Sequence, residues 1–419
     1  QHASDLVITG LLELNGRLDL SRFLSVYSSF GFLSVKHPKA CHAHPAFSSI
    51  ILPYQSKCRK PFFVSLIFTN ADAMISFKEQ LPDFAGRYHG GSFMTVKPPD
   101  FGGKPYRSLD YHLRNRYGEK IYKVSLDGGM TCPNRDGTLG KCGCIFCSEG
   151  GSGDFAGDRT HPVHQQIEEQ KTRLSPKFPA THFIAYFQAY TNTYAPLSYL
   201  ERIFTEAIEH EDIVGLSIGT RPDCLPDETL DLLSELNKKK PVTVELGLQT
   251  IHERTAAFIR RGYKLSCFED ALEKLQERKL ETVVHTILGL PGENTENILE
   301  TMRYLNAHHI DGIKLQLLHI LKGTDLADVY QTDPFHVFSI EEYIDLVIDC
   351  ITLLPPRITI HRMTGDGPKN LLIAPLWSGN KRLVLNQLHK RFKERGAWQG
   401  QCYVFPLIPA ALPFRHPQW

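Results

Sequence analysis

An α/β fold, a partial (β/α)6-type open barrel of parallel strands with flanking helices, is the architecture predicted by this 419-residue chain. Three observations predict it. From Ile121 to Met363, short apolar runs alternate with amphipathic stretches of helical period, the pattern of a parallel sheet covered by helices. Polar, glycine-rich words follow those apolar runs, and a barrel gathers its site at the carboxyl ends of its strands. The first strand also runs into a loop dense in cysteine, TCPNRDGTLGKCGCIFCSEG (131–150). A doubly wound sheet is the alternative topology.

The elements follow in order. SLDYHLRNRYG (108–118) reads as a basic amphipathic helix, with Leu109 and Leu113 on one side and Arg114 and Arg116 turned to solvent. IYKVSL (121–126) is the first strand, residues 164–173 a helix and FIAYF (183–187) a fully apolar strand. Pro196 opens a helix through LSYLERIFTEAIEH, followed by strand IVGLSIG (213–219). The helix 227–238 has acids at its front and Lys238, Lys239 and Lys240 at its end, charges that complement the helix dipole. Strand VTVELGL (242–248), helices HERTAAFIR and CFEDALEKLQERK, strand TVVHTILGL (282–290) and a helix over 294–307 continue the alternation. GIKLQLLHI (312–320) and ITIHRM (358–363) are strands around the helix IEEYIDLVIDCITLL, and LVLNQLHKRFKERG closes with a basic helix.

This gives four segments: 1–93, a poorly defined extension; 94–120, a linker and basic helix; 121–363, the partial barrel; and 364–419, a carboxyl-terminal helical extension. Residues 1–93 hold apolar, strand-like pieces (FLSVYSSFGFLSV, FFVSLIF) without a clear period, and lack the pattern of a secretory signal. The segment is either a small extension or upstream sequence joined to the protein, and Met94 reads as the natural start.

Composition is that of an ordinary globular protein, 42% hydrophobic and 22% charged. The net charge of +1 predicts no general attraction to nucleic acid or membrane, so such binding needs a local patch. No apolar run approaches the ~20 residues of a spanning helix. A thiol-rich loop without a membrane anchor points to a reducing, cytoplasmic setting.

In the loop, Cys132 and Cys144 are separated by eleven residues, and Cys144 and Cys147 by two. Three thiolates leave one position open, which a cluster needs if it is also to bind a substrate or cofactor. Structural zinc is the alternative, but it usually takes two separated Cys or His pairs, and a second pair is missing. Cys142 stands one residue from Cys144, poor geometry for a fourth ligand of one ion, and has no assigned role.

The strand ends supply further candidates. In QAYTNTYAP, Gln188, Thr191 and Asn192 can hydrogen-bond the ammonium and carboxylate of an amino acid; in GTRPDCLPDE, Arg221 and Asp223 can grip a carboxylate or ribose. For Asp223 a turn or helix-capping role competes. Glu245 and Gln249 flank Gly247 in VELGLQT, and a charge on a covered strand is costly unless paired or functional. HTILGLPGE offers Gly289 for close backbone approach to a ligand such as adenine, and Glu293 beside a helix start. His285 reads as a satisfied core histidine. Lys314, Gln316 and His319 alternate with Ile313, Leu315 and Leu317; that period of two lines either a substrate cavity or a solvated face. HRMTGDGP sets His361, Arg362 and Asp366 at the last strand's end as a substrate lip.

Taken together, KVSLDGGMTCPNRDGTLG, CIFCS, YFQAYTNTYAP, IGTRPDCLPDE, VELGLQT, GLPGE and HRMTGDGPK resemble the radical S-adenosylmethionine superfamily, in its bacterial YhcC/YtqA-type branch related to the Elongator catalytic subunit. The resemblance covers about residues 106–396. It implies that Cys132, Cys144 and Cys147 hold a [4Fe–4S] cluster, that S-adenosylmethionine occupies the open iron, and that its reductive cleavage yields a 5′-deoxyadenosyl radical. It also implies that Gln188, Thr191, Asn192, Arg221, Asp223, Glu245, Gln249, Gly289 and Glu293 surround that cofactor, and that an electron donor such as flavodoxin or ferredoxin serves it. The cysteine spacing is longer than the superfamily's common C-x3-C-x2-C, and no plain Gly-Gly-Glu follows the second strand.

For the substrate, the resemblance implies transfer RNA modified at a wobble uridine side chain. Arg107, Arg114, Arg116, Lys120 and Lys123 precede the cluster loop, and Lys381, Arg382, Lys390, Arg391, Lys393 and Arg395 crowd the last helix; phosphate contacts need such patches. Solvated helix faces give the same composition. A radical enzyme acting on a small metabolite or protein, and a zinc-bearing RNA-binding module without catalysis, are the competing functions.

Overall fold

The computed structural model describes the backbone of residues 7–11, 48–55 and 61–68, and residues 98–151, 153–174, 180–365 and 367–403 in full. Two compact units divide the chain, Gln1–Pro98 with Val404–Trp419, and Pro99–Tyr403. In the first, β1 (Val7–Leu11) runs parallel to β3 (Pro61–Phe68), which runs antiparallel to β2 (Ser48–Gln55). FFVSLIF thus falls within β3, while FLSVYSSFGFLSV lies outside the described residues.

The second unit carries the barrel. Its elements are α1 (Leu109–Tyr117), β4 (Tyr122–Leu126), α2 (Val163–Leu174), β5 (Phe183–Phe187), α3 (Leu197–Glu209) and β6 (Ile213–Thr220). There follow α4 (Asp227–Lys239), β7 (Val242–Gln249), α5 (Glu253–Phe258), α6 (Leu265–Glu277), β8 (Glu281–Leu288) and α7 (Thr295–Asn306). The chain continues through β9 (Gly312–Leu317), β10 (Ile320–Leu321), α8 (Asp325–Thr332), α9 (Ile340–Leu353), β11 (Thr359–Arg362), β12 (Leu372–Ala374) and α10 (Lys381–Arg395). Local chemistry sets many of the boundaries. Ser108, Asn294, Thr324 and Ser339 cap α1, α7, α8 and α9 with their side chains, and Gly118 ends α1 in the left-handed region.

The main sheet has the order β11-β9-β8-β7-β6-β5-β4, and every neighbouring pair is parallel. Each barrel strand lies beside the one before it, so the winding never reverses as a doubly wound sheet requires. The seven strands curl into a half-barrel flanked by helices; the seventh, β11, is the strand expected at ITIHRM. On its outer face Val124, Leu126, Ile218, Val244, Leu246, Val284, Ile313 and Leu315 are buried against helices that contribute Leu200, Phe204, Leu230, Leu233, Phe268 and Ile298. The inner face is polar, which the alternation of Lys123, Ser217, Glu245, His285 and Lys314 with those apolar neighbours dictates.

The exposed edge of β11 is covered by the chain just before α1. The Ile360 N–H donates to the Arg107 carbonyl at 2.8 Å. Gln399, fully buried, staples the seam: its N–H donates to the Pro105 carbonyl, its Oε1 accepts from the Arg107 N–H, and its Nε2 donates to the carbonyls of Pro355 and Ile358. Such pairing removes an open strand edge.

Candidate functional site

The cysteine loop leaves β4 and is anchored between its thiols. Ile145, between Cys144 and Cys147, is buried with Ile259, Ile287, Leu290, Leu318 and Leu326. Its N–H donates to the Ile259 carbonyl at 3.3 Å and its carbonyl accepts from the Leu326 N–H at 2.9 Å. The residue inside the C-x2-C pair therefore ties the loop to α5 and α8. Asn134 adds a second tie: its Nδ2 donates to the Arg260 carbonyl at 2.8 Å and the Arg261 carbonyl at 3.3 Å, and points at Cys144 Sγ from 3.4 Å. Arg135 holds the carbonyls of Cys147 and Ser148 at 3.0 and 2.6 Å.

Cys132, Cys144 and Cys147 line one cleft of about 1310 Å³ at the carboxyl ends of the strands. Cys142 is exposed and is not on its wall. Burial pushes the Cys144 thiol up to about 11, with the neighbouring Cys147 and Cys132 adding to the rise and the Asn134 donor opposing it. Burial also raises Cys147, against the pull of the Arg135 guanidinium. Three thiols with a shared guanidinium and an amide donor beside them form a donor set that a cationic metal centre completes by displacing their protons. The site fits an iron–sulfur cluster held by three cysteines.

The other predicted residues divide into two groups. Gln188, Thr191, Arg221, Glu245 and Gln249 line the same cleft. Gln188 Oε1 accepts from Ser125 at 3.2 Å, and Gln249 ends β7 with φ of 66°. Arg221 forks onto Asp223, Nε to Oδ1 at 2.9 Å and Nη2 to Oδ2 at 2.7 Å, while its Nη1 reaches the Arg261 carbonyl at 3.0 Å.

Asn192, Asp223, Gly289 and Glu293 are off the cleft wall among the described residues. Asn192 is fully buried and its Nδ2 donates to the Gly219 carbonyl at 2.8 Å, bracing the end of β5 against β6. Both carboxylate oxygens of Asp223 are engaged by Arg221. Glu293 accepts from the Thr250 hydroxyl at 2.6 Å, and burial raises its carboxyl above the ordinary range. Gly289 has φ of 92° and faces Phe338, its hypothetical Cβ 3.0 Å from that ring. These four shape the strand ends from behind.

The floor of the cleft is a polar layer centred on Glu245. Its Oε1 accepts from Lys123 at 2.6 Å and from Ser217 at 2.7 Å. Its Oε2 accepts from His285 at 2.7 Å and from Lys314. Burial opposes ionisation of Glu245, but Lys123, Lys314 and His285 outweigh it and hold the carboxyl well below its usual value. Burial, with Lys314 adding to it, takes His285 down to about 4, so the imidazole is neutral. Its Nε2–H donates to Glu245 and its Nδ1 accepts from Gln316 at 3.3 Å. His285 is thus the satisfied histidine expected, yet it also lines the cleft with Lys314, Gln316, His319 and Arg362. Asp366 lies outside the described residues.

Sequence reasoning passed over Tyr186, Arg261 and Tyr263, which also line the cleft. Arg261 is 1% exposed and donates to the carbonyls of Leu248 and Thr250, and the rings of Tyr263 and Tyr186 lie under arginine and lysine cations. A tyrosine in an apolar strand, and an arginine and a tyrosine in the short connection between α5 and α6, carry no distinguishing signal.

The expected basic patches are largely spent on other contacts. Arg114 pairs with Asp110 and Arg116 with Glu281. Lys123 is inside the barrel layer, and Arg391 and Arg395 pair with Asp345 and Asp349 on α9. From the second run, Lys381 and Arg382 line the cleft mouth, joined there by Lys369. Among the described residues no helix is long and apolar enough to cross a membrane.

Comparison with known proteins agrees with this architecture. Residues 132–305 match the Radical SAM superfamily and residues 310–394 the Radical_SAM C-terminal domain. The chain is 45% identical to YtqA of Bacillus subtilis over 300 residues, 72% of this chain and 93% of that protein. It is 37% identical to YhcC of Escherichia coli over 298 residues, 71% of this chain and 95% of that protein. Elongator complex protein 3 of Schizosaccharomyces pombe is 28% identical over 179 residues, 42% of this chain and 32% of that protein. The archaeal Methanocaldococcus infernus Elp3 structure superposes with a TM-score of 0.51 at 17% identity, covering 67% of this chain and 64% of that one, and so shares the fold. The three-cysteine loop at the head of a parallel half-barrel, with these relatives, establishes that the chain belongs to the radical S-adenosylmethionine superfamily, whose members bind a [4Fe–4S] cluster and S-adenosylmethionine.

Proposed function

We propose that Cys132, Cys144 and Cys147 hold the [4Fe–4S] cluster and that the enzyme uses S-adenosylmethionine to modify a transfer RNA at a wobble uridine side chain. The observation that carries the first part is the meeting of those three thiols on one cleft wall with Gln188, Thr191, Arg221 and Gln249. When bound, the cluster and S-adenosylmethionine supply a 5′-deoxyadenosyl radical that takes a hydrogen atom from the substrate.

The chain's own residues do the rest. Asn134 and Arg135 orient the thiols and offset their charge. Arg221, held rigid by Asp223 and set beside the Tyr263 ring, presents a fixed cation to the carboxylate or ribose of S-adenosylmethionine. Gln188 and Thr191 offer polar groups to its amino acid portion.

Transfer RNA rests on the resemblance to Elongator-type enzymes, with Lys369, Lys381 and Arg382 at the cleft mouth placed to meet phosphates. A flavodoxin or ferredoxin is the proposed reductant, in a cytoplasmic setting. Cys144→Ala removes both the iron–sulfur absorbance and 5′-deoxyadenosine formation in anaerobically reconstituted protein; retained cleavage, or a colourless zinc-bearing protein, overturns the cluster assignment. Nucleoside profiling of transfer RNA from a deletion strain reads the substrate. An unchanged wobble-uridine profile replaces RNA with the second reading, a small metabolite or protein, which the deep polar floor of the cleft favours.

A further inference from the structure

In the polar floor beneath the thiols, two lysines share one carboxylate. Glu245 is the only carboxylate in contact with Lys123 and Lys314 among the described residues. Its two oxygens already accept four hydrogen bonds, from Lys123, Ser217, His285 and Lys314, which exhausts the acceptor capacity of a carboxylate. A layer that served only to hold the barrel together would balance its charges, because an uncompensated buried cation is costly.

Lys314 is where this layer meets the cleft. The residue is 5% exposed yet lines the cleft. Its Nζ donates to Glu245 Oε2 and, at 3.0 Å, to the Tyr186 hydroxyl. An ammonium has three N–H donors, so one remains. Gln316, two residues along β9, also lines the cleft, and its Nε2 is turned to His285 at 3.3 Å. Burial drives the Lys314 amine down to about 7, with Glu245 opposing the fall and Lys123 adding to it.

We propose that the barrel floor is an oxyanion subsite, in which Lys314, supported by Tyr186 and Glu245, receives a carboxylate or phosphate carried by the substrate. Resting on the radical-enzyme reading of the same cleft, this adds that the substrate bears an anionic group that reaches to the level of β7 and β9. Lys314 acts as a specificity-determining residue, and Glu245 and Tyr186 position it.

The test is calorimetric titration of the cluster-loaded protein with inorganic phosphate and, separately, with acetate. Saturable binding of at least one is expected, weakened about tenfold or more (about 1.4 kcal/mol or more) by Lys314→Met. Tighter binding of phosphate assigns a phosphate ester, and tighter binding of acetate a carboxylate. No binding by the wild-type protein, or equal binding by Lys314→Met, overturns the subsite. If Lys314→Met does not fold, the wild-type protein is acetylated at lysine with and without each anion and read by peptide mass spectrometry. The anion that binds slows acetylation of Lys314, and an unchanged rate overturns the proposal. 5′-Deoxyadenosine formation is measured in parallel: its absence with anion binding intact refutes the radical reading alone, and its presence without anion binding refutes the subsite alone.

Discussion

Replacing Glu245 by glutamine tests whether the barrel floor is an ion cluster or ordinary packing. The side chain is fully buried, so Glu245→Gln keeps the volume and removes the charge. Lys123 and Lys314 then lose their only shared carboxylate, and the new amide presents N–H groups to side chains that are donors themselves. Breaking a buried ion pair from one side costs about 3–5 kcal/mol. At about 2–3 °C per kcal/mol for a domain of this size, the melting temperature falls by about 6–15 °C. Part of that cost is relieved when Lys314 sheds its proton. In the native protein its amine is lowered to about 7, and removal of Glu245 lowers it further. Below that lower value both proteins carry the charged lysine when folded; between it and about 7 only the variant folds with the lysine neutral. Since the unfolded lysine stays protonated throughout, the variant gains stability relative to the native protein as pH rises through this window. Thermal unfolding followed by circular dichroism at about pH 5.5 and about pH 7.5 should therefore show a larger deficit at the lower pH. A drop below about 2 °C, or a deficit independent of pH, refutes the reasoning.

Other perturbations follow the same geometry. Asn134→Ala strips Cys144 of its amide donor and the Arg260 carbonyl of its 2.8 Å hydrogen bond, so stability falls by about 1–3 kcal/mol and iron content per chain falls with it, as read by denaturant unfolding and metal analysis. Asp223→Ala releases the Arg221 fork; S-adenosylmethionine binding weakens about tenfold by equilibrium dialysis, while Asp223→Glu recovers part of it. Gly289→Ala sets a Cβ at φ of 92° against Phe338 and costs about 1–2 kcal/mol or more in denaturant unfolding; an unchanged midpoint would show that the turn adjusts freely.

Most of the architecture was legible because it rests on short-range rules. The apolar runs of β5 and β6 and the lysines ending α4 each announce an element locally. The short pairing of β10 with β12, and α8 beside it, escaped notice because two- and three-residue strands lack a period. The candidate site was half legible. Gln188, Thr191, Arg221, Glu245 and Gln249 reach the cleft as their strand-end positions suggested, whereas Asn192, Asp223, Gly289 and Glu293 stand behind it. A polar residue at a strand end lies near a site, but which way it turns depends on partners far away in sequence, such as Gly219 for Asn192 and Thr250 for Glu293.

The sequence by itself determined the parallel half-barrel and the three-cysteine loop on its first strand, because periodicity and ligand spacing are properties of neighbouring residues, and the resemblance of its motifs pointed to the family. Only the tertiary structure decided that Lys123 is an internal ion rather than part of a surface patch, that Asp223 serves Arg221, and that two lysines from strands β4 and β9 share one carboxylate on β7 beneath the cysteines. Those facts depend on which side chains converge across the curled sheet, and on the low-dielectric interior that makes their pairing matter.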